Sequence, residues 1–135
     1  VDKREGGMMA DIKSLNSSLK AEIFWEHKDG MRVRLLESIV YQSKSGSLII
    51  VPKDYVSDGG SIPKIFWFVL SPFENYAKSC ILHDYLCDAF HKGSIKRKTC
   101  DEIFLESMEF LNIKKSTRLT LYYAVRLYAF IKKFK

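Results

Sequence analysis

Tyr76-Ala77-Lys78-Ser79-Cys80-Ile81-Leu82-His83-Asp84-Tyr85-Leu86-Cys87-Asp88-Ala89-Phe90 is the stretch from which the rest of the chain is read. Its apolar residues recur at helical spacing, so Tyr76 to Phe90 is expected to form an α-helix. Adjacent residues on a helix point ~100° apart, so a wide groove can receive both His83 and Asp84. Residues four apart share a face, which pairs His83 with Cys87 and Cys80 with Asp84. Two readings are open on this stretch alone. Either His83 is a satisfied core histidine and Asp84 a solvated carboxylate, or the two belong to a site.

Downstream, His91-Lys92-Gly93 ends the helix with a glycine cap. Ser94 to Lys98 is a basic connection. Thr99 to Leu111 reads as a second helix, with Asp101, Glu102, Glu106 and Glu109 outward. Ile103, Phe104, Leu105, Met108 and Phe110 are largely inward, and Asn112 ends it. Ser116-Thr117 can cap a last helix to about Phe134.

Upstream, Ile23-Phe24-Trp25 is a short strand candidate and Asp29-Gly30 a hairpin signal. Arg32 to Gln42 reads as one longer strand, Ser45-Gly46 as a turn, and Ser47 to Val51 as a third strand ended by Pro52. These suggest an antiparallel meander with one face to bury. Between sheet and helices, Tyr55-Val56-Ser57-Asp58-Gly59-Gly60-Ser61-Ile62-Pro63 is a tight loop. Its glycines permit positive φ and close approach to a ligand; an ordinary turn that delivers Pro63 to a helix start is the simpler reading. Pro63 to Leu70 is a short apolar helix or turn, broken by Ser71-Pro72. The expected fold class is α+β: a small N-terminal antiparallel sheet of about three strands, packed on a C-terminal bundle of three main helices.

At 135 residues the chain suggests one domain, and at 47% hydrophobic it can bury a real core. Val1 to Met8 looks like an expression tag, so residues 1–20 are read as tag and flexible lead-in and 21–135 as the domain. The longest apolar run, Ile65 to Leu70, falls far short of the ~20 residues of a membrane span. Cys80, Cys87 and Cys100 are odd in number and lack framework spacing, which argues for a reduced, cytosolic protein. The net charge is +6, and from Lys114 to Lys135 there are seven Lys or Arg and no acidic residue. Such a face attracts nucleic acid, anionic lipid or an acidic partner without choosing among them, or simply keeps a helix solvated.

Three constellations bear on chemistry. If the first two helices pack antiparallel, Asp101 can approach His83 and hold one ring nitrogen. The other nitrogen is then free to take a proton from water. Asp84 remains available to a hard cation, with carbonyls of the Asp58-Gly59-Gly60-Ser61 loop as further donors, a set suited to calcium. The plainer reading makes Asp101 a first-turn carboxylate favoured by the helix dipole. A second constellation, Cys80, His83 or Asp84, Cys87, His91 and Cys100, has zinc-like donors. One straight helix offers at most two good ligands to one metal, so buried free cysteines are the commoner explanation. Third, the last helix mixes Leu119, Tyr122, Tyr123, Arg126, Ala129, Phe130 and Lys133. Such residues serve base stacking, a lipid interface, or an aromatic core face with snorkelling cations.

Two resemblances follow. Val51-Pro52-Lys53, Val56 to Pro63, Leu82-His83-Asp84-Tyr85-Leu86, Cys100 to Phe104 and Tyr123-Ala124-Val125-Arg126-Leu127 occur in the order found in domain of unknown function 1353. That resemblance implies a phage or prophage setting and no settled activity. A looser likeness joins a Gly-rich loop, a helix with His-Asp and a second helix with Cys-Asp. It is similar to the core of secreted phospholipase A(2) and its viral capsid relatives. The likeness implies His83 as the base that activates water, Asp101 as its holder, and Asp84 with loop residues Asp58, Gly59 and Gly60 as calcium ligands. Cys87 stands where that family has a tyrosine, and the loop has fewer glycines.

Two functions are therefore carried forward. One is a cation-dependent hydrolase with Ser61 and Arg126 as further binding residues. The other is a non-enzymatic phage assembly or interaction protein whose His-Asp pair is a structural polar network. Anionic lipid and a phage structural protein are the expected partners, with nucleic acid still open. The expected location is cytoplasmic or virion-associated.

Overall fold

The computed structural model describes residue 15 and residues 19–26, 30–57 and 76–134. The chain divides into two compact units, Val1–Val56 and Ser57–Lys135.

In the first unit, β1 (Ala21–Glu26) and β2 (Gly30–Leu35) pair antiparallel from Ala21↔Leu35 to Glu26↔Gly30. The Asp29 turn position lies outside the described residues. The stretch Arg32 to Gln42 is not one strand. It bends at Leu36–Ser38 and resumes as β3 (Ile39–Gln42), which pairs antiparallel with β4 (Leu48–Val51). Side chains in a strand alternate faces, so an unbroken strand would put Glu37 on the same face as Leu35 and Ile39, both of which are buried. The bend sends Glu37 to solvent instead, where it meets Lys20 at 3.2 Å. The expected meander is thus two separate ladders. The third strand of the β1-β2 sheet is the short β5 (Val56–Ser57), in the order β1-β2-β5. Leu35 binds this returning chain through both backbone groups: its N–H donates to Tyr55 O at 3.0 Å and its O accepts from Asp54 N–H at 2.9 Å. At the β3–β4 turn Gly46 has φ +96°, a left-handed value that glycine adopts without strain.

The second unit holds α1 (Ala77–His91), α2 (Arg97–Phe110) and α3 (Lys115–Ile131). With the sheet they make the fold α+β, as expected. Helix α1 is buried on nearly every side, polar Ser79, His83 and Asp84 included. It runs antiparallel to α2. Ser79 meets Ser107 at 2.8 Å, and the Leu86 carbonyl receives the Cys100 thiol at 3.3 Å. Helix α3 packs on α2. Two assignments on α2 are corrected. Asp101 is buried rather than outward, because donors from neighbouring helices surround it. Phe110, at the last turn, is exposed rather than inward. Ser116-Thr117 does not cap α3 either. Buried Leu111 and Ile113 anchor the short link, the helix begins directly after Lys114, and Ser116 falls inside the first turn, where its carbonyl accepts from Thr120 Oγ1.

Candidate functional site

Three helices deliver the site. Helix α1 supplies His83, Asp84 and Cys87. Helix α2 supplies Arg97, Asp101 and Phe104, and α3 supplies Arg126. The i, i+4 spacing places His83 beside Cys87 and Arg97 beside Asp101. Antiparallel packing of α1 on α2 then brings His83 to Asp101, as the spacing implied.

His83 Nε2 lies 2.6 Å from Asp101 Oδ1, and both side chains are 0% exposed. Arg97 Nε donates to the same oxygen at 3.0 Å, and Arg126 Nη1 donates to Oδ2 at 2.7 Å. Burial pushes Asp101 upward, but the His83 bond and the two guanidinium groups outweigh it and hold the carboxyl below its ordinary range. Burial pulls His83 down, against the opposing pull of Asp101, so the imidazole is neutral. Facing a carboxylate acceptor, a neutral ring must carry its proton on Nε2. Nδ1 then holds the lone pair. Cys87 Sγ sits 3.8 Å from Nδ1 and 3.7 Å from Nε2, and the Phe104 ring centroid is 4.6 Å from that of the imidazole.

Arg97 is the largest fully buried side chain among the described residues. Its guanidinium carbon lies 5.7 Å from the Tyr128 ring centroid and 5.5 Å from that of Phe134. Its Nη2 has no hydrogen-bond partner among the described residues, so the aromatic faces provide the remaining compensation for its charge. Asp84 stands apart from this cluster. Its Oδ2 accepts the Ser57 hydroxyl at 2.8 Å. Ser57 directly precedes Asp58, Gly59, Gly60 and Ser61, all of which lie outside the described residues. Of the expected calcium ligands, Asp84 alone falls among the described residues.

The structure thus brings His83, Asp101 and Arg126 together and places Asp84 on the neighbouring turn face with Ser57. Sequence reasoning missed Arg97 and Ser57. Arg97 was hidden in a basic link, although its spacing to Asp101 is a legible i, i+4 pair. Among the described residues no three His, Cys, Asp or Glu side chains are grouped to hold a metal ion. Cys80 and Cys100 are buried thiols, both pushed up to about 12, chiefly by burial.

The model of the family described as a protein of unknown function, DUF1353, matches residues 33–125, more than half of the chain. The chain belongs to the DUF1353 family. The matched span takes in β3, β4, β5, α1, α2 and every side chain of the His83–Asp101 cluster except Arg126, which lies one residue beyond it. No curated protein and no solved structure matches, so the likeness to phospholipase A(2) gains no support from these comparisons.

Proposed function

We propose that this DUF1353 protein is a non-enzymatic interaction or assembly factor and that its His-Asp pair is the structural centre of the helical unit. The observation that carries this reading is the closure of the cluster. His83 and Asp101 have no exposed surface, and the Asp101 charge is met by two arginines. A general base needs water at its free nitrogen and an orienting carboxylate whose charge stabilises the imidazolium. Two guanidinium groups on Asp101 draw that charge away, and His83 is lowered rather than raised. A buried carboxylate met by three partners from three helices rigidifies the core around it. In the phage or prophage setting suggested by the family resemblance, the partner is a phage structural protein and the location cytoplasmic or virion-associated. No helix among the described residues is long and apolar enough to cross a membrane.

One observation favours a second reading, a cation-dependent hydrolase. Nε2 bound to Asp101 leaves Nδ1 as an acceptor, the polarity a water-activating histidine requires. In that reading Asp84, Asp58, Gly59 and Gly60 hold calcium, Ser61 and Arg126 bind substrate, and the protein resembles phospholipase A(2).

One assay separates the two: calcium-dependent fatty-acid release from mixed anionic phospholipid vesicles by wild type, His83→Ala, and wild type with chelator. The proposal expects no release and a large loss of thermal stability in His83→Ala. Release that vanishes in both controls would overturn it.

A further inference from the structure

The last helix presents an apolar face that is exposed among the described residues. Tyr123, Leu127, Phe130 and Ile131 are 63%, 59%, 79% and 66% exposed. Their spacing of four, three and one puts them on one stripe of α3, opposite buried Leu121, Val125 and Ala129. Tyr123 to Ile131 spans about 12 Å of helix. Lys132 and Lys133 follow the stripe, the Lys132 Nζ lying 5.8 Å from the Tyr128 ring centroid, and no acidic residue occurs between Lys114 and Lys135.

We infer that this face of α3 docks on an anionic lipid surface. Charge and shape together select that occupant. A lipid interface accepts a one-sided aromatic and aliphatic stripe at its acyl boundary while lysines at the edge meet the headgroups. Nucleic acid would use the lysines and the two aromatic rings, but it gives Leu127 and Ile131 nothing to bury against. An acidic protein partner would use the lysines, yet apolar contact with it requires a complementary groove. A second copy of the chain would bring an equally basic helix to this face, and like charges would meet at its end. This inference goes beyond the proposed function, whose partner is a phage structural protein: it assigns a lipid surface to this face of α3.

The test is co-sedimentation of the full chain with phosphatidylglycerol–phosphatidylcholine vesicles and with phosphatidylcholine vesicles alone, at low and high salt. Wild type is expected to bind the anionic vesicles, to weaken with salt, and to bind the neutral ones far less. Leu127→Ser with Phe130→Ser should remove binding while leaving the melting temperature near that of wild type, because both side chains are exposed. Lys132→Gln with Lys133→Gln should weaken anionic binding roughly 30-fold, about fivefold per lysine. Absence of wild-type binding would overturn the inference, as would binding that the Leu127 and Phe130 substitutions leave intact. A solution dimer abolished by those substitutions, without vesicle binding, would assign the face to a second copy instead. Fatty-acid release from the bound vesicles would leave the docking face standing and remove the non-enzymatic reading.

Discussion

A carboxylate shut off from water is tolerable only where its charge is met, and three side chains from three helices meet Asp101. Removing that charge leaves Arg97 buried with an excess positive charge and no ionic partner among the described residues. Asp101→Asn is therefore expected to destabilise the helical unit by about 3–5 kcal/mol, the range for breaking a buried ion pair from one side. Arg126→Ala should cost less, because Arg126 is partly exposed and Arg97 still answers the carboxylate. Urea unfolding of the two variants ranks them, and an Asp101→Asn variant as stable as wild type would refute the hub. His83 adds a pH dependence. Its folded value is lowered, so below the unfolded value of about 6.5 the unfolded chain takes up a proton that the fold resists. Stability is thus fully present above pH 6.5 and falls as pH drops below it, by at most about 1.4 kcal/mol per pH unit. Asp101, also lowered, adds loss in the same direction only below its ordinary value near 3.8. Melting curves from pH 7.5 to 5 check the first window, and a flat profile there would show that His83 is not buried neutral. His83 and Asp101 were legible in the sequence because a helix fixes the faces of residues 83 and 101 once antiparallel packing is assumed. Arg97 was not, because charge alone does not distinguish a buried arginine from a solvated one in a run such as Lys96-Arg97-Lys98.

At the scale of elements, all three helices end the same way. The N–H of residue 94 returns to the carbonyl of 89, that of 113 to 108, and that of 134 to 129. This is the Schellman closure, with a left-handed residue before its last donor. Those residues are Gly93 at φ +82°, Asn112 at +58° and Lys133 at +60°. Glycine and asparagine announce such positions in a sequence, and both ends were legible. Lysine does not, and the end of α3 was placed only approximately. A Cβ on Gly93 meets nothing within 4 Å, so the cost of Gly93→Ala is conformational alone, about 1 kcal/mol. Lys133→Gly should gain stability of similar size, reduced by fraying so near the chain end. Thermal melts of the pair should shift in opposite directions; equal shifts would contradict the left-handed assignment. The strand break at Leu36–Ser38 was unreadable for a different reason. Apolar composition marks Arg32 to Gln42 as extended, but whether Glu37 must escape a buried face depends on neighbours the local sequence does not name.

At the scale of the molecule, the division between Val56 and Ser57 gives the helical unit a set of reporters. All three cysteines, Cys80, Cys87 and Cys100, belong to it, and all are buried. The sequence reading favoured buried free cysteines, and all three are free and buried. Cys80 and Cys100, pushed up to about 12, are protonated at neutral pH and inert while folded. A disulfide reagent should therefore label the three together, at the rate set by opening of the unit rather than by each thiol's own chemistry. The same hub that ties α1, α2 and α3 through Asp101 should control that opening. If Asp101→Asn removes about 3 kcal/mol or more from the unit, labelling of all three thiols should accelerate by about a hundredfold or more, since 1.4 kcal/mol is a factor of ten. Mass spectrometry of partly labelled protein reads the pattern directly. Zero and triple labels without intermediates are expected for a cooperative unit, and one thiol reacting early in the wild type would show that the hub does not bind the three helices into one.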